Sequence, residues 1–97
     1  MELGGKIAIV TGASQGIGEG IALALAAAGA CVMITHMPGP EDTAAAGCVV
    51  RAIEGSGGSA CAHVLQLPDA SSIAACVRAC LDRHSRIDIL VNNAGVM

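Results

Sequence analysis

Apolar residues along the chain fall into short unbroken runs that alternate with stretches of helical period. Ile7, Ala8, Ile9 and Val10 make the first run, and residues 6–10 read as a strand buried on both faces. Ile17, Ile21 and Leu25 follow at intervals of four, with Ala24 and Ala28 beside them, as one face of a helix. Gly29 suits the end of that helix, and residues 31–36 (CVMITH) form a second strand-like run. Met37-Pro38-Gly39-Pro40 is a turn. Glu41 and Asp42 then suit the first turn of a second helix, where negative charge complements the helix dipole. Ala45, Val49, Ala52 and Ile53 are its expected apolar face, and Gly47 weakens it by about 1 kcal/mol relative to alanine. Gly55-Ser56-Gly57-Gly58 closes it, residues 60–67 form a third strand, and Pro68 stops that strand. Asp69 is the expected N-cap of a third helix over residues 70–84. Residues 87–91 (IDILV) are a fourth strand that delivers Asn92-Asn93-Ala94-Gly95 at its carboxyl end.

This βαβαβαβ order with short connections predicts an α/β fold: a parallel sheet with right-handed crossovers. Two crossovers run one way from the first strand and the third returns beside it, which gives the order 3-2-1-4. A crevice then opens between strands one and four above their carboxyl ends. Thr11-Gly12-Ala13-Ser14-Gln15-Gly16-Ile17-Gly18 lies on one lip and residues 92–95 on the other. The glycines remove the Cβ atoms that would hold a ligand off the backbone. Their spacing aims amide N–H groups from a helix N-terminus at whatever sits there, and the partial positive charge favours an anion. A pyrophosphate is the natural occupant.

Composition narrows the classes. The hydrophobic share is 54% against 13% charged residues, which suits a sheet covered on both faces. Phe, Tyr and Trp are absent, so aliphatic residues, Met and Cys must fill the core. A net charge of −3 without a basic patch argues against nucleic acid. The uncharged span 20–40 is interrupted by Gly29, His36 and Pro38, so it reads as helix plus strand, with no membrane partner. Five cysteines without a CxxC pair, and no secretion-type leader, read as reduced thiols in a cytoplasmic protein. Cys76, Cys80 and His84 have a spacing that metal ligands use. They share a helix face with Ile73, Val77 and Leu81, however, and the expectation is core packing and no metal site.

The sequence resembles the classical short-chain dehydrogenase/reductases. TGASQGIG (residues 11–18) looks like that family's cofactor loop, and RIDILVNNAG (residues 86–95) looks like its fourth strand and the Asn-Asn-Ala-Gly motif that follows. The likeness runs over essentially the whole chain and is similar to the amino-terminal part of β-ketoacyl-carrier-protein reductases among others. It implies a Rossmann-type doubly wound sheet and an NAD(P) cofactor. Gly12, Ser14, Gln15, Gly16, Ile17 and Gly18 would surround the adenosine ribose and pyrophosphate. Asn93, Ala94 and Gly95 would lie along the cofactor, with Asn92 bracing the strand end. The family's ribose-selecting position falls on His36, and its adenine-contacting pair falls on Gln66 and Leu67.

An acid at His36 would select NAD, and none is there; neither Gln15 nor Met37 is the Arg or Lys that would favour NADP. Thr35 and His36 can donate to a 2′-phosphate without repelling it, so the reading leans to NADP. The family's serine, tyrosine and lysine all come from a later part of the fold. This chain has no tyrosine, and its single lysine is Lys6, so no catalytic residue is expected in it. We therefore expect a single partial NAD(P)-binding domain over 1–97, incomplete at the C-terminus and inactive alone. It would be the half of an oxidoreductase that moves a hydride between nicotinamide and a carbonyl or alcohol substrate. A non-catalytic dinucleotide-binding or subunit-association module, or an incomplete gene product, are the alternatives. The apolar fourth strand, lacking a neighbour, predicts a homo-oligomer or self-association.

Overall fold

The computed structural model describes residues 2–66 and 69–93. Its elements are β1 (Ile7–Val10), α1 (Gly16–Ala27), β2 (Cys31–His36), α2 (Pro40–Gly55), β3 (Ser59–Val64), α3 (Ala70–His84) and β4 (Ile89–Val91). The four strands form one parallel sheet in the order β3-β2-β1-β4. The doubly wound arrangement expected from the alternating pattern is the one observed.

Alternation along the strands divides the core in two. Ala8, Val10, Val32, Ile34 and Ala60 face α1 and α2, where Ala22, Ala26, Ala46, Val49 and Ile53 meet them. Ile7, Ile9 and Met33 face the other way, against Cys76 and Cys80 of α3 and against Leu65. Both sheet faces are thus covered, which is why the central strands carry no polar alternation.

Three helix faces differ from the periodicity reading. The sheet-facing row of α1 is Gly18, Ala22 and Ala26, with Ile21 and Leu25 at its flank; Ile17 is 77% exposed, and Ala24 is exposed too. A row of small residues lets the helix axis lie close to the strands, so the branched side chains are pushed to its sides. On α2 the buried row is Ala46, Val49 and Ile53, while Ala52 is exposed. On α3, Cys76 and Cys80 are buried, but Ile73, Val77 and Leu81 remain about 40% exposed (43%, 38% and 41%).

Local chemistry sets the helix ends. The Ala30 amide donates to Leu25 O (3.1 Å) and the Gly29 amide to Ala26 O (3.0 Å), the paired bonds of a Schellman stop. The Asp69 carboxylate caps α3, accepting from the amides of Ser71 (2.9 Å) and Ser72 (3.3 Å), as expected. Two strand limits shift by two residues or more. β3 ends at Val64 rather than running to Leu67, which with Pro68 lies outside the described residues. β4 begins at Ile89 rather than Ile87, because Asp88 is used differently.

The Asp88 carboxylate accepts from the Ile7 amide (2.8 Å) and from Arg86 Nε (2.9 Å), while the Asp88 amide donates to Ile7 O (2.8 Å). The Ile7 amide bond, first, and then the Arg86 guanidinium hold this carboxyl below the usual aspartate range. A carboxyl lowered in the folded state adds stability above its unfolded pKa, and that stability is lost as pH falls through the folded value. Thermal melts of the wild type and Asp88→Asn should therefore differ at neutral pH and converge in acid. A gap that stays constant down to strong acid would contradict this role.

Gly47 sits in the middle of α2, and the nearest atom to an added Cβ is Arg51 Nη1 at 3.3 Å, the far end of a flexible side chain. Gly47→Ala should raise stability by about 0.5–1 kcal/mol, readable as a higher urea midpoint at unchanged slope.

Candidate functional site

The carboxyl ends of the strands are tied together by a line of hydrogen bonds that crosses the sheet. Val10 is in register with Ile34 on one side and Val91 on the other. The Thr11 amide donates to Val91 O (3.0 Å), and the Asn93 amide donates to Thr11 Oγ1 (2.9 Å). Asn93 Nδ2 donates to Gly12 O (3.2 Å). The Gly12 amide in turn donates to Thr35 Oγ1 (3.1 Å), and the Ala13 amide to Thr35 O (3.0 Å). One residue further, the Leu65 amide donates to His36 O (2.8 Å). Four strand ends and the glycine loop thereby form one frame.

Within it the loop turns into α1 at Gln15, whose backbone is extended and whose side chain makes no cap. The amides of Gly16, Ile17 and Gly18 have no protein acceptor among the described residues. They are the first donors of a helix, which the chain itself leaves unanswered. Gly16 has φ +64°, and a Cβ there would meet open space. Gly18 differs: a Cβ there would strike Gly12 O, lie 2.6 Å from Asn93 Nδ2 and 3.0 Å from Ala13 Cα. Gly16 keeps the surface of the loop low, and Gly18 lets the loop fold down on the helix.

The other expected site residues sort as follows. Ser14 is half-buried, and Gln15 and Ile17 are exposed at the loop. His36 is buried to 8% exposure, and its Nδ1–H donates to Met37 O (2.8 Å), which leaves Nε2 as the available ring nitrogen. Gln66 is exposed at the end of the β3 segment, with its amide on Ser72 Oγ (2.8 Å) and its carbonyl accepting from Asp69 (3.1 Å). Its side chain has no partner among the described residues. Leu67, Ala94 and Gly95 lie outside the described residues.

Two roles change. Thr35 cannot reach out to a phosphate: it is 1% exposed, and its hydroxyl accepts from the loop. The firm brace at the end of β4 is Asn93, by backbone and side chain, whereas the Asn92 side chain has only a 3.4 Å contact with Thr11 Oγ1. The loop-holding roles of Thr11 and Thr35 were not anticipated. The available signal was a hydroxyl at the end of each buried strand, since such a group must find a partner.

Beside the frame, on the α3 face, lies a cavity of about 330 Å³ bordered by Ile9, Leu65, Ile73, Val77, Leu90 and Asn92, among others. Among the described residues, no group of three His, Cys, Asp or Glu gathers as a metal site, and no helix is long and apolar enough to cross a membrane.

Residues 6–97 match the family model described as short chain dehydrogenase. The chain belongs to the short-chain dehydrogenase family. Among its relatives, it is 43% identical to a 3-oxoacyl-[acyl-carrier-protein] reductase of Synechocystis sp. over 91 residues, 94% of this chain and 36% of the relative. It is 42% identical to a sorbitol dehydrogenase of Cereibacter sphaeroides, covering 99% of this chain and 35% of that one. The crystal structure of a metagenomic short-chain oxidoreductase in complex with NADP superposes with a TM-score of 0.89 at 43% identity, over 99% of this chain and 42% of that one. The chain thus spans well under half the length of these relatives. In short-chain dehydrogenase terms, the frame is made by the family's glycine loop and the first two residues of its Asn-Asn-Ala-Gly motif.

Proposed function

We propose that this chain is the NAD(P)-binding half of a short-chain oxidoreductase acting on a carbonyl or alcohol. The observation that carries the reading is the trio of unanswered amides at Gly16, Ile17 and Gly18, set at a helix N-terminus in a loop without crowding Cβ atoms. Such donors fit a diphosphate. Gly12, Ser14 and Gln15 would carry the adenosine ribose, Gln66 would accept from the adenine amino group through its amide oxygen, and Asn93 would hold the loop to the cofactor's far side. Leu67, Ala94 and Gly95 are proposed cofactor neighbours on the family's pattern alone. The nicotinamide, when bound, supplies the hydride chemistry. The residues present bind and orient it, and the proton-transfer groups are proposed to belong to the part of the fold outside this chain. A homo-oligomeric or self-associating state and a cytoplasmic location are proposed with the same reading.

The choice of NADP over NAD rests on the lack of a carboxylate at the end of β2. His36 stands there with its Nδ1–H held by Met37 O, so no negative charge opposes a 2′-phosphate. Calorimetric titration should show tighter binding of NADPH than of NADH. His36→Asp should reverse that order by repelling the 2′-phosphate and accepting from the ribose hydroxyls. Tighter binding of NADH to the wild type would overturn the assignment.

A further inference from the structure

At the opposite, amino-terminal edge of the sheet a second group of polar side chains meets, and the cofactor reading does not use it. Cys31 opens β2, in register with Ser59 at the start of β3. Cys31 Sγ lies 3.6 Å from His84 Nε2 and 3.3 Å from Ser59 Oγ. His84 is in the last turn of α3. Cys31 and His84 are both half-buried, so the pair is shielded yet reachable.

The other four cysteines are differently placed. Cys76 and Cys80 are buried, and burial pushes their thiols up; Cys61 is pushed up chiefly by burial, against the lowering influence of Arg83. Cys48 is exposed on α2, with Arg51 Nη2 at 3.4 Å and no imidazole. Cys31 alone combines access with a base at hydrogen-bonding distance, the arrangement that activates a sulfur nucleophile.

We propose that Cys31 is a thiol-modification site, activated by His84, that takes small disulfides. In the step, the Cys31 thiol proton passes to His84 Nε2 and the thiolate attacks one sulfur of the disulfide. The S–S bond breaks, a mixed disulfide forms on Cys31, and the departing thiolate takes the proton back from His84. Cys31 is oxidised, the leaving sulfur is reduced, and no further oxidant is needed.

The test is reaction of the whole chain with oxidised glutathione, with adduct formation at each cysteine followed by peptide mass spectrometry. Cys31 should react about tenfold faster than the more exposed Cys48, reversing the order that exposure alone would give. His84→Gln should bring Cys31 to the Cys48 rate or below, with Cys48 unchanged. Because that variant changes a packed helix end, the wild type in denaturing urea is the second arm: there the advantage of Cys31 should vanish. Equal or faster reaction at Cys48 in the folded chain, or an advantage that survives either His84→Gln or urea, would overturn the proposal.

Discussion

Gly18→Ala should unfold the loop from its helix. The added methyl has nowhere to go: Gly12 O, Asn93 Nδ2 and Ala13 Cα surround the position, and two of the three are backbone atoms held by the strand frame. Overpacking of this kind costs about 1–3 kcal/mol and occasionally more, and here the upper end applies because Gly12 O and Ala13 Cα are backbone atoms that cannot swing aside. For a small domain of marginal stability that is a large fraction of the total. The Asn93–Gly12 bond should break first, so the midpoint of thermal unfolding drops and nucleotide affinity falls with it. Circular dichroism melts and titration on the same sample check both. A variant that melts like the wild type would mean that the loop does not pack on α1 as described.

Gly16→Ala should separate the two losses. Its Cβ meets open space, so the folded chain bears only the left-handed backbone at φ +64°, at a cost of about 1–2 kcal/mol. A bound diphosphate approaching the neighbouring amides meets that methyl directly. We expect nucleotide affinity to fall about a hundredfold, or about 2.7 kcal/mol, while the chain stays folded. Calorimetric titration with NADPH, paired with a thermal melt, reads the split. Unchanged affinity would show that the loop surface at Gly16 is not where the nucleotide lies.

Much of this was legible in the amino-acid order, for physical reasons that also explain the misses. The unbroken apolar runs at β1 and β2 can be satisfied only in a doubly covered sheet, so strand order and layering followed. Asp69 announced its helix because a carboxylate there answers two amides. The helix faces were harder. α1 is apolar almost all round, so its period does not select between the Ile17 row and the Gly18 row; tight packing on the sheet does. The row at Ile73, Val77 and Leu81 is as regular as the one at Cys76 and Cys80, but it stays exposed, while Cys76 and Cys80 meet the strands. Strand ends escaped because they depend on single partners, as when the Asp88 side chain takes the Ile7 amide. At the candidate site, the glycine spacing was readable, since it reflects what the backbone must leave open. The roles of Thr35 and Asn93 were not, because a side-chain hydrogen bond between residues 12 and 35, or 12 and 93, leaves no trace in spacing.

The most direct test follows the backbone amides themselves. Titrating isotopically labelled chain with NADPH and following amide resonances should move Gly16, Ile17 and Gly18 furthest, with saturation at one nucleotide per chain. If those three stay still while NADPH binds elsewhere, or if no saturable binding occurs, the site described at the start of α1 is not a diphosphate cradle.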